Sequence, residues 1–191
     1  MTITTFGLLR HGQTDWNIDL RLQGTTDIPM NEFGVAQIQQ AAERLALQDW
    51  DMILTSPLGR ARHSAELVAK KLGIKELIEE PLLLERSFGL GEGLKYDEWH
   101  KEYASLDDIP GADTAKVVGE RARDLLAVIE SRHAGAKILG VSHGSLIRVV
   151  LAQVSEGAVP PKGERLENAS LHLLRHQGSW QLEAWAPQPL S

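Results

Sequence analysis

Short β-prone runs alternate with amphipathic helical stretches along most of this chain. Strands joined through helices are built into a largely parallel sheet, because the crossover helix returns the chain to the edge from which it can run in the same direction. Residues 3–9 form the first apolar run. Asn31 then stands as cap before a helix that carries Val35, Ile38, Ala42 and Leu45 on one face. Residues 52–55 are an apolar strand, and Ser56-Pro57 reads as cap and first-turn proline. The helix after it carries Ala61, Ala65, Val68, Ala69 and Leu72 and is closed by Gly73. A third strand is expected over 74–78. Residues 81–110 are irregular, and Val117, Val118, Leu125, Leu126, Val128 and Ile129 mark a long helix. A strand over 137–141 precedes Ser142-His143-Gly144, which opens a helix running to Val154. Residues 170–174 and 180–185 alternate like a terminal hairpin. The expected fold is a three-layer α/β/α sandwich with a mostly parallel sheet, as a single domain over 1–191.

Composition narrows the function classes. A chain of 191 residues with 42% hydrophobic and 24% charged residues has the length and make-up to bury a core. No apolar run approaches the roughly 20 residues that cross a bilayer. Residues 1–10 lack the basic start and small-residue cleavage site of a secretory signal, so a cytoplasmic, non-membrane protein is expected. There is no cysteine, which removes thiolate metal sites and Cys nucleophiles. A net charge of −6 argues against nucleic acid as partner. A small anion is still a fitting ligand, since a few arginines make a local positive pocket on an acidic protein.

In parallel sheets ligands bind at the carboxyl ends of the strands. Three polar clusters fall at such ends: Arg10-His11-Gly12, Thr55 to Arg60, and Ser142-His143-Gly144. Together they hold what phosphoryl transfer without a metal requires. A neutral histidine is nucleophilic near pH 7, arginine forks hold phosphoryl oxygens, and a carboxyl group protonates the leaving alkoxide. Gly12 and Gly144 would let backbone approach the phosphate. Arg60, on the first turn of a helix, would add the positive end of the dipole.

The blocks Leu-Arg-His-Gly-Gln-Thr-Asp-Trp-Asn at 9–17, Leu-Gln-Gly at 22–24, Thr-Ser-Pro-Leu-Gly-Arg-Ala-Arg-His-Ser-Ala at 55–65, Leu-Glu-Arg-Ser-Phe-Gly-Leu-Gly-Glu-Gly at 84–93 and Ser-His-Gly at 142–144 stand in one order over nearly the whole chain. In them the sequence resembles the histidine phosphatase superfamily, the phosphoglycerate mutase-like fold. The resemblance implies His11 as nucleophile, Glu85 as proton donor, and Arg10, Arg60 and His143 as the phosphate pocket. Asn17, Gln23 and Gly24 would line that pocket, with Thr14 beside it; Gly144, from the residues themselves, is also expected to bind the phosphate. It implies no metal and no cofactor. The apolar neighbours of Glu85, Leu82 to Leu84 and Phe88, suggest a setting that keeps a carboxyl group protonated.

A phosphatase acting on a small-molecule phosphomonoester is expected over a phosphoglycerate mutase. The mutases carry a longer insertion between the acid and the second histidine, whereas positions 85 and 143 here lie 58 apart. Their paired arginines for a substrate carboxylate have no match in 95–116. The phosphatase branches often show Gly-Gly-Glu-Ser, where this chain reads Pro110-Gly111-Ala112-Asp113-Thr114. Gly140-Val141-Ser142-His143-Gly144 also fits a serine-esterase elbow with Ser142 as nucleophile. That reading lacks an Asp after Asp124 and leaves the arginine blocks without a purpose. Residues 95–110 are expected to help cover the pocket. The substrate's identity is left open, as is oligomeric state, a homo-oligomer included.

Overall fold

A computed structural model of the protein describes residues 2–190. Six strands form one sheet: β1 (Thr4–Arg10), β2 (Met52–Thr55), β3 (Leu77–Glu79), β4 (Lys137–Ser142), β5 (Leu171–His176) and β6 (Trp180–Ala184). Their order is β3-β2-β4-β1-β5-β6. The first four in that order run parallel, and the terminal hairpin adds β5 and β6 antiparallel at the β1 edge. The helices are α1 (Asp15–Ile18), α2 (Glu32–Leu45), α3 (Gly59–Leu72), α4 (Tyr96–Glu102), α5 (Ala115–Arg132) and α6 (Gly144–Val154).

Side chains alternate across the sheet and divide the core in two. Leu9, Ile53, Leu139 and Val141 face α2 and α3, where they meet Ile38, Leu45, Ala61, Ala65 and Val68. Phe6, Leu8, Leu54 and Ile138 face the other way, onto Leu125 and Ile129 of α5 and Leu146, Ile147 and Val150 of α6. The expected three-layer α/β/α sandwich is therefore present. Among the described residues no helix is long and apolar enough to cross a membrane.

Three local expectations are corrected. The third strand starts at Leu77 instead of residue 74, because Gly73 takes a left-handed conformation and Ile74 N–H turns back to the Ala69 carbonyl at 3.0 Å to close α3. Ser56-Pro57 does not cap α3, whose N-cap position is Leu58. The irregular stretch holds α4 and three 3₁₀ turns, Pro81–Leu83, Gly89–Gly91 and Leu106–Asp108.

Register is what assembles the clusters. Arg10 lies opposite Ser142, and Thr55 opposite Val141. The ladder continues one step past the strands: His11 N–H donates to Ser142 O and Ser56 N–H to Val141 O, each at 3.0 Å. Three strand ends at one level bring His11, Ser56 and His143 side by side.

Candidate active site

A cavity of about 220 Å³ opens at these strand ends. Eight expected residues line it: Arg10, His11, Asn17, Gln23, Gly24, Arg60, Glu85 and Gly144. Thr14 and His143 do not. Thr14 is buried one layer behind, where its hydroxyl donates to Gln23 Oε1 at 2.9 Å and accepts from Asn17 N–H at 3.3 Å. His143 is fully buried, with its ring centroid 5.1 Å from that of His11.

His11 is almost entirely buried, and its Nδ1 lies 2.8 Å from the Gly12 carbonyl. A carbonyl can only accept, so Nδ1 carries the hydrogen and Nε2 keeps its lone pair. Burial, and then the charges of Arg60 and Arg10, hold the imidazole's pKa well below the ordinary histidine range. Its backbone is pinned by Asn168, whose Nδ2 donates to His11 O at 2.9 Å and to Asn17 Oδ1 at 3.1 Å.

In His143, Nε2 lies 2.7 Å from the Ser56 hydroxyl, while Nδ1 is buried without a partner. Leu58 N–H donates to that hydroxyl at 3.3 Å, leaving its hydrogen for Nε2. Burial, Arg60, His11 and Arg10 keep this ring neutral as well. The tautomer consistent with these contacts has its proton on Nδ1.

Arg60 is buried at the start of α3, and its guanidinium donates to the Gly24 carbonyl at 2.6 Å and the Thr26 carbonyl at 3.0 Å. Asp27 lies 3.6 Å away and also accepts from Gly59 N–H at 2.6 Å. The expected use of the α3 helix end for an anion is thus corrected, since an acidic side chain already occupies it. Arg10 donates to the Leu166 carbonyl, and burial lowers its pKa to about 10. Arg10 Nε and Arg60 Nε are both buried without partners.

Glu85 follows the first 3₁₀ turn and sits against the start of α6. Its oxygens accept from Arg86 N–H at 2.9 Å, Ser145 N–H at 3.0 Å and Leu146 N–H at 3.1 Å. The apolar setting expected for it is replaced by three backbone donors, two of them at the start of α6. Gly144 does face the site, as a Cβ there would lie 3.4 Å from the Arg10 guanidinium. Gly12 does not, because a Cβ on it would meet the Gly34 carbonyl at 2.4 Å and Met30 at 2.6 Å. Its glycine is required where the chain crosses α2. Gly24 adopts φ +54°, and a Cβ would strike the Glu92 carboxylate at 2.1 Å.

A family model of the histidine phosphatase superfamily (branch 1) matches residues 6–187. This chain belongs to the histidine phosphatase superfamily. It is 36% identical over 170 residues to the uncharacterized phosphatase PhoE of Bacillus subtilis strain 168, covering 88% of this chain and 86% of that one. It is 30% identical over 198 residues to a metal-independent phosphoserine phosphatase of Arabidopsis thaliana, covering 96% and 82%. A probable phosphoglycerate mutase of Serratia proteamaculans strain 568 is 33% identical over 192 residues, covering 93% and 88%. The solved structure of a mycobacterial glucosyl-3-phosphoglycerate phosphatase superposes with a TM-score of 0.83 at 26% identity, covering 96% and 98%. The chain is a phosphatase of this superfamily, with the phosphoglycerate mutase-like fold.

Membership leaves the serine-esterase reading without support. Ser142 is fully buried at the end of β4, and its hydroxyl donates to the Leu83 carbonyl at 2.7 Å. Residues 95–110, expected over the pocket, contribute nothing to its lining. The lining is completed instead by Arg21, Leu22, Phe88, Ser145, Arg148, Arg165 and Leu166. The sequence carries a signal for Arg148, a lone charge inside the apolar run Leu146 to Leu151. It carries none for Asn168 or for Ser56 as the partner of His143. Among the described residues no group of three or more His, Asp or Glu side chains converges as a metal site would.

Proposed function

We propose that this phosphatase hydrolyses a small phosphomonoester without a metal, with His11 as nucleophile and Glu85 as acid and base. The observation that carries the reading is a set of three buried, unpartnered nitrogens, Arg10 Nε, Arg60 Nε and His143 Nδ1, around one imidazole. A buried donor left unmade costs about 1–3 kcal/mol. Oxygens of a phosphoryl group are the acceptors that would complete all three.

In the first half-reaction His11 Nε2 attacks phosphorus, the P–O ester bond breaks, and the Glu85 proton passes to the leaving oxygen. The phosphorylated ring bears positive charge, which the Gly12 carbonyl stabilises through Nδ1–H. Water then attacks phosphorus and gives its proton to the Glu85 carboxylate, while the P–N bond breaks to release phosphate and neutral His11. Gln23 and Asn17, braced by Thr14 and Asn168, wall the cavity with amides.

The test is release of free phosphate from a panel of metabolite monoesters in EDTA. Turnover should persist under chelation, and His11→Ala should lower it by about four orders of magnitude or more. That variant should also lose the acid-labile, alkali-stable phosphoenzyme. An adduct that survives the substitution removes His11 as nucleophile. Fast isomerisation of 3-phosphoglycerate with little free phosphate would make the chain a mutase.

A further inference from the structure

The reaction above employs Arg10 and Arg60, yet two more guanidinium groups, Arg148 and Arg165, line the same cavity on its α6 side. Arg148 lies four residues past Gly144 and so shares its face of the helix. Helical side chains lean toward the N-terminus, which directs Arg148 back over the turn that holds Glu85. Arg165 is exposed and sits in the loop before β5. That loop is pinned on both sides of it: Arg148 donates to the Glu164 carbonyl and Arg10 to the Leu166 carbonyl. Two arginines of the cavity thereby hold a third at its mouth.

Acidic partners are scarce on this side. Arg21 is committed to Asp19 at 3.1 Å and to the Gly93 carbonyl at 2.7 Å, and Arg60 faces Asp27. Among the described residues neither Arg148 nor Arg165 has a carboxylate within 4.0 Å. The charge of Arg165 is close enough to depress the pKa of Arg10. When Glu85 carries its proton, no carboxylate pairs directly with Arg148 or Arg165, while Glu167 and Glu164 act on Arg10 and Arg148 only from beyond ion-pair distance. A phosphomonoester brings about two negative charges to Arg10 and Arg60 beside His11, so positive charge is left over at Arg148 and Arg165. It lies on the side of Glu85, where the leaving group departs.

We propose that Arg148 and Arg165 form a second anion site that selects phosphomonoesters whose leaving group bears its own carboxylate or phosphate. The proposal rests on the phosphatase reading of His11 and Glu85 and names the substrate class of that site. Matched substrates test it: 3-phosphoglycerate against glycerol 3-phosphate, and fructose 1,6-bisphosphate against fructose 6-phosphate. The charged member of at least one pair should have a kcat/KM higher by about tenfold or more, as expected for one charge-assisted contact. Preference in the first pair alone identifies a carboxylate, and in the second alone a phosphate. Preference in both means any second anion fits. Arg165→Ala should bring the ratio within the preferred pair close to one, mainly through KM, and Arg165→Lys should retain part of it. Because Arg165 is exposed, the alanine variant tests binding without unfolding the loop. Equal kcat/KM within both pairs, or a ratio indifferent to Arg165→Ala, overturns the second site and leaves the phosphatase standing. No phosphate from any of the four, nor from p-nitrophenyl phosphate, removes the phosphatase reading and this proposal together.

Discussion

Glu85 shows how much a single side chain depends on its backbone surroundings. Its carboxyl group is oriented by Ser145 N–H and Leu146 N–H, and its own carbonyl accepts from Arg121 at 3.1 Å. Arg121 is in turn paired to Asp113 at 2.8 Å. Glu85→Gln keeps the shape of the side chain and removes its proton. It should lower kcat/KM on alkyl phosphates by about 10²–10⁴. On aryl phosphates, whose leaving oxygen needs little protonation, the loss should be about tenfold. Equal losses on both classes, measured as initial rates, would take the acid role from Glu85. Neighbouring apolar residues in the sequence pointed to a different environment for it, because sequence adjacency does not reveal which helix start a side chain will reach.

The elements around the site are fastened by one carboxylate. Glu92 accepts from Thr25 N–H at 2.9 Å, Thr26 N–H at 2.7 Å, Phe88 N–H at 3.2 Å and the hydroxyls of Thr25 and Thr26. Burial pushes its carboxyl group up, but the Thr26 hydroxyl and the backbone N–H groups outweigh it and the net shift is downward. The loop it clips supplies the Gly24 and Thr26 carbonyls that grip Arg60. Its contribution is present above the ordinary carboxylate pKa and is lost as pH falls through the lowered one. Glu92→Gln should therefore loosen Arg60 and reduce kcat/KM by about tenfold on every monoester alike, since a positioning charge-assisted bond is worth roughly 1.5–3 kcal/mol. Unaltered kinetics, with an unaltered ratio between alkyl and aryl substrates, would show that Arg60 is held without it. The helix and strand patterns legible in the sequence placed α2, β2, α5, β4 and α6 closely. They missed α4 and displaced β3, where the turn at Gly73 decides the boundary.

For the whole molecule, burying neutral imidazoles makes stability depend on acidity. His11 and His143 are held well below the ordinary histidine range, and burial lowers His172 to about 4. The unfolded chain takes up these protons near pH 6.5 and the folded one only at lower pH. Protonation therefore favours unfolding, and stability falls as pH drops below about 6.5, at about 1.4 kcal/mol per pH unit for each histidine. His172 lies on β5, stacked against Trp185 at 5.5 Å and away from the cavity lining. Urea unfolding at pH 7.5 and 5.5 should show a loss that His172→Gln reduces by about 1.4 kcal/mol. An identical loss in the variant would mean that His172 is protonated in the folded state. Sequence alone determined which residues gather: the motif blocks named eight that line one cavity, of which Arg10, His11, Arg60 and Gly144 follow strand ends that strand–helix alternation brings to one rim, and the other four came with the resemblance. Only the tertiary structure decided the rest. That Ser56 serves His143, that Asn168 pins His11, and that Arg10 holds the loop of Arg165 at Leu166 all follow from contacts between residues 87, 157 and 156 positions apart. Such contacts arise from sheet register and loop closure, which no local periodicity encodes.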